Sequence, residues 1–96
     1  MLTEYQIRIC QRMIDTIDSY LQGTTEYAIT VNNLEALLDV CEIKDQKIVD
    51  KWFDCWTPLE TMNALYGNVV KIDEIRTEMD DLKQYVKSLI EVKNAL

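Results

Sequence analysis

Between residues 72 and 89 the apolar side chains Ile72, Ile75, Met79, Leu82, Val86 and Leu89 alternate at spacings of three and four, about three heptads of an α-helical seam. A helix with such a seam must bury it against other helices. Tyr85, Ile90 and Val92 widen the stripe beyond what a two-stranded coiled coil needs, so the seam reads as one wall of an antiparallel bundle. The expected helix runs from about 70 to 95. Only two glycines and one proline interrupt 96 residues, and 48% of them are hydrophobic, which gives an ordered single domain at 1–96.

Ile7, Cys10, Ile14, Ile17 and Leu21, flanked by Met13 and Tyr20, repeat the pattern and predict a first helix over about 3–22, stopped by Gly23. The alternation of Tyr27, Ile29 and Val31 has no strand to pair with, so 23–30 reads as a loop packed on the core. A second helix is expected over 31–41 with Thr30 as its cap and Leu34, Leu37, Leu38 and Cys41 on one side. A third is expected over 45–56, where Ile48, Val49, Trp52, Phe53 and Trp56 form a wide apolar face. Both tryptophans belong to the core on this reading. Thr57, Pro58 and Glu60 have the signature of a capping box with proline at the first helical position, so a separate short helix is expected from Thr57 to Tyr66, ended by Gly67 and Asn68. The fold expected is all-α, a compact antiparallel bundle of four to five helices.

Histidine is absent, which removes the commonest proton-transfer group and zinc ligand. Ser19 and Ser88 have no glycine-bracketed elbow or neighbouring base. The close acidic pairs Asp73–Glu74 and Asp80–Asp81 read as a solvated helix face. No enzymatic activity, metal or cofactor is expected. Cys10, Cys41 and Cys55 are odd in number, lack metal-type spacing and sit among apolar residues, so they read as small buried hydrophobes in a reducing compartment. No apolar run approaches the length of a membrane span and no cationic leader precedes one, so a cytoplasmic, membrane-free protein is expected.

Seventeen acids against ten bases leave a net charge of -7, which opposes binding to nucleic acid and favours a basic protein partner. The excess lies at one end of the chain, since residues 1–42 hold seven acids and two bases. Glu35, Asp39 and Glu42 recur at four and three on one helical face with no base among them, a mildly destabilising arrangement. Glu74, Glu78 and Asp81 form a second row leading to Tyr85. Either row can be a solvated face, or a surface that steers a cationic partner, with Tyr27, Tyr66 and Tyr85 expected near the surface as anchors.

The run Tyr-Leu-Gln-Gly at 20–23, the segment Val-Asn-Asn-Leu-Glu-Ala-Leu-Leu at 31–38 and the stretch from Ile48 through Trp52, Trp56, Leu59 and Glu60 to Leu65 resemble small helical bacterial immunity proteins of the contact-dependent growth inhibition type. The resemblance covers residues 20–65 and rests on packing residues. It implies a cytoplasmic antitoxin that binds and neutralises a toxin domain from sibling cells. The charge makes a nuclease the expected target, RNase ahead of DNase, blocked by a monomer with an acidic face. The alternative is a helical adaptor or homo-oligomeric scaffold that joins another helix through the C-terminal seam.

Overall fold

The computed structural model describes residues 2–94, with side chains through Glu91. Four helices run up and down: α1 (Glu4–Leu21), α2 (Tyr27–Cys41), α3 (Gln46–Tyr66) and α4 (Ile72–Asn94), with a 3-10 turn (Gly67–Val69) before α4. Helix α1 packs on α2 and α4, and α3 packs on the same two, so the helices form a closed ring around one core. The bundle measures 41 × 24 × 20 Å, its long axis close to the roughly 35 Å length of a 23-residue helix. The expected end of the last helix at Ala95, and the Val92 side chain, lie outside what the structure describes.

The seam of α4 is spent inside this ring. Ile75, Met79, Leu82 and Val86 are buried against α1 and α3, while Ile72 and Leu89 at its ends are half-buried. Helix α1 contributes Ile9, Cys10, Met13, Ile14, Ile17 and Tyr20, so its buried stripe is centred slightly away from Ile7 and Leu21, which are half-buried. Thr3 and Gln6 form a reciprocal capping box at its start. At its end Gly23 takes φ +81°, and the amides of Gly23 and Thr24 bond the carbonyls of Tyr20 and Ser19, a Schellman closure that needs a left-handed residue.

Two boundaries differ from the sequence reading. Residues 27–30 are not a loop but the first turn of α2. Tyr27, Thr30, Val31 and Leu34 are all buried at helical spacing, whereas Ile29, the middle of the apparent alternation, points outward. Thr30 is therefore not a cap; its hydroxyl donates to the Glu26 carbonyl inside the helix at 2.8 Å. The start of α2 is capped from a distance by Asn68, whose Oδ1 accepts from the Ala28 amide at 2.9 Å and whose Nδ2 donates to Glu26 at 2.7 Å.

The second difference is at Thr57. The expected third helix and short helix are one, and Pro58 lies in its interior. Proline removes the amide that would bond the Asp54 carbonyl, yet Asp54 and Pro58 both face solvent, where water can take that carbonyl. On the inner side Trp52, Trp56, Leu59 and Met62 make one unbroken stripe, and burying it outweighs the local penalty. Trp52 and Trp56 stack at 5.9 Å, both inside the core, and the Trp56 indole donates to the Val31 carbonyl at 3.1 Å.

A candidate acidic docking groove between α2 and α3

The structure places the two acidic rows on opposite flanks of α3 and gives them different work. Glu35, Asp39 and Glu42 are all exposed and line one groove of about 570 Å³ between α2 and the first half of α3. Leu38, Ile43, Val49 and Phe53 supply its apolar lining, with Asn32 and Ala36 along α2. No lysine or arginine lines it. Among the described residues, these three carboxylates take part in no ion pair and no side-chain hydrogen bond.

The local fold explains how the groove is held open. Helix α2 ends on Glu42, which is non-glycine yet left-handed at φ 52° and ψ 45°. That conformation costs about 1 kcal/mol for a residue with a Cβ. It is held by the start of α1. The side-chain Nε2 of Gln6 donates to the carbonyls of both Cys41 and Glu42 at 3.1 Å, and the Tyr5 hydroxyl reaches the Val40 carbonyl at 3.4 Å. These bonds satisfy carbonyls that the helix end leaves free and turn the chain so that Ile43 faces the groove.

The second row is partly employed by the fold. Glu74 Oε1 accepts from the Lys71 amide at 2.9 Å and so stabilises the start of α4. Glu78 is half-buried, close enough to Tyr27 to help push that hydroxyl's pKa upward behind the larger effect of burial. Asp81 is exposed, and its charge reaches Cys55 on α3. This row therefore offers fewer free carboxylates than the first.

Of the three aromatic anchors, Tyr66 is 55% exposed, beside Leu65 and Val69 at the far end of α3. Tyr85 is half-buried, with its hydroxyl 3.4 Å from the Ile48 carbonyl. Tyr27 is not a surface residue. It is 2% exposed because it occupies the inward stripe of α2, and its hydroxyl donates to the Leu59 carbonyl at 2.6 Å. Tyr66 stands thirteen residues along α3 from Phe53, about 20 Å away, so it does not share the groove.

No family model, curated protein or solved structure matches the chain. The chemistry of the site thus rests on its residues alone. Among the described residues no cluster of three or more cysteine, aspartate and glutamate side chains is arranged to hold a metal, and no helix is long and apolar enough to cross a membrane. An acid-rimmed, apolar-floored groove is suited to receiving a basic side chain together with an apolar one. The floor was the part hidden in the sequence. In the sequence Val49 and Phe53 belong to one wide apolar face with the two tryptophans, and in the fold Trp52 and Trp56 are buried while Val49 and Phe53 stay half-buried at its edge.

Proposed function

We propose that the chain is an immunity-type inhibitor that neutralises a basic toxin nuclease, an RNase ahead of a DNase, by seating its α2–α3 groove on the cationic surface of the toxin. The observation that carries this reading is the meeting of Glu35, Asp39 and Glu42 around one apolar floor with no base to neutralise them. A nuclease must present positive charge to hold a phosphate backbone, so an acidic protein that occupies that surface competes directly with the substrate. Long-range attraction speeds encounter, and the apolar floor provides contacts that exclude water and slow release.

Inhibition on this reading is stoichiometric and non-covalent, performed by a monomer in the cytoplasm, where the nucleic acid to be protected lies. The net charge of -7 supports a basic protein as the partner. The adaptor alternative needs the α4 seam on the surface, and Met79 and Leu82 are fully buried within the chain.

Affinity capture from lysate of the source strain, at low and at high salt, tests the reading. The expected result is one basic chain, retained at low salt and released at high salt, whose nuclease activity the purified protein abolishes at a one-to-one ratio. A captured chain without nuclease activity, or one held equally at both salt concentrations, contradicts it.

A further inference from the structure

Cys10 and Cys41, which nothing in the sequence pairs, meet where α1 crosses the end of α2. The Cys41 Sγ lies 3.6 Å from the Gln6 carbonyl oxygen. Cys10 lies one turn along α1 from Gln6, and its buried side chain is in hydrogen-bonding contact with that of Cys41. Gln6 fixes the crossing from the other side through its bonds to the Cys41 and Glu42 carbonyls. Both cysteines are fully buried, and Cys55 is half-buried on α3. From this juxtaposition we infer that Cys10 and Cys41 are a disulfide-forming pair, a modification site that staples α1 to the turn bearing Glu42 at the edge of the acidic groove.

The chemistry of the pair agrees with its geometry. The contact between the two sulfurs lowers the Cys41 pKa and, together with burial, raises that of Cys10, so Cys41 is the first of the two to lose its proton and become a nucleophile. With a small-molecule disulfide such as oxidised glutathione, the Cys41 thiolate attacks one sulfur and expels a glutathione thiolate. Cys10, losing its proton, then attacks the Cys41 sulfur and expels the second. Two thiols are oxidised to one disulfide, and one oxidised glutathione is reduced to two thiols. Burial slows the exchange but does not set its end point, because brief openings of the bundle let the thiols equilibrate.

The test is to equilibrate the native protein in glutathione buffers of graded oxidised-to-reduced ratio and map the products by tryptic mass spectrometry. Cleavage at Arg8, Arg12, Lys44, Lys51 and Lys71 leaves each cysteine in a different peptide. The expected product is a monomer lighter by two hydrogens in which the peptide 9–12 is joined to 13–44, unchanged in Cys55→Ser, and with a higher urea midpoint than the reduced protein because closing that loop restricts the unfolded chain. Glutathione adducts alone, a bond to Cys55, or an oxidised form with a lower urea midpoint would overturn the assignment.

Discussion

The Tyr27 hydroxyl donates to the Leu59 carbonyl across 2.6 Å, joining the first turn of α2 to the middle of α3 within the core. The residue that reads from the sequence as a surface anchor is thus a bolt between two helices. Tyr27→Phe keeps the ring and loses the bond, while Leu59 keeps its helical partner, so a loss of about 1 kcal/mol is expected in urea unfolding. Binding of a partner at the acidic groove is expected to be unchanged.

The two tryptophans give a sharper comparison. Trp52 is 0% exposed and its indole N–H has no acceptor, whereas Trp56, at 7%, has one in Val31. Replacement by phenylalanine removes similar volume from each, but at Trp52 it also removes an unpaired buried donor. Trp56→Phe is therefore expected to destabilise the fold more than Trp52→Phe by about 1 kcal/mol or more, despite the deeper burial of Trp52. Equal losses in denaturant titrations contradict the assignment of the hydrogen bond.

Pro58 supplies a third expectation. Since α3 is continuous, Pro58→Ala restores the amide for the Asp54 carbonyl and is expected to stabilise by about 1 to 3 kcal/mol, with hydrogen-exchange protection rising around Asp54. If Pro58 instead began a separate helix, the substitution would be neutral or destabilising.

How far the sequence reveals this molecule is clear at such positions. The periodicity of α1 and α4 is strong because each presents one clean stripe, and Gly23 and Gly67 punctuate as their positive φ requires. Thr57-Pro58-Leu59-Glu60 carries every local mark of a helix start, and the core overrides it. Tyr27-Ala28-Ile29 mimics a strand because the residue that caps α2, Asn68, is forty positions from the amide it bonds. The acidic row was legible from spacing alone. The groove it lines was not, since Phe53 and Val49 come from another helix and their partial exposure depends on how α2 ends at Glu42.

Alkaline pH is expected to weaken the fold. Burial is the main cause that raises the pKa of Tyr20, Tyr27 and Tyr85, reinforced by Glu74, by Tyr20 with Glu60 and Glu78, and by Cys55 with Asp45 respectively. Folded-state values above the unfolded ones mean that the native chain holds protons the unfolded chain releases. Their contribution is complete below about pH 10, the unfolded tyrosine value, and declines as pH rises toward the folded values. Cys55, also raised first by burial, begins the decline nearer pH 8.5, about the free thiol value. A urea midpoint that stays flat from neutral pH to about pH 11 contradicts this account.

The role of the first acidic row is tested by the affinity of the captured basic chain, by calorimetry at low and at high salt, for three folded proteins: the native chain, a triple variant Glu35→Lys, Asp39→Lys, Glu42→Lys, and a control Asp81→Lys in the second row. The triple variant is expected to bind on the order of a hundredfold more weakly or worse and to lose most of the salt dependence, with the control close to native. A triple variant that binds like the native chain removes the α2–α3 groove as the docking site.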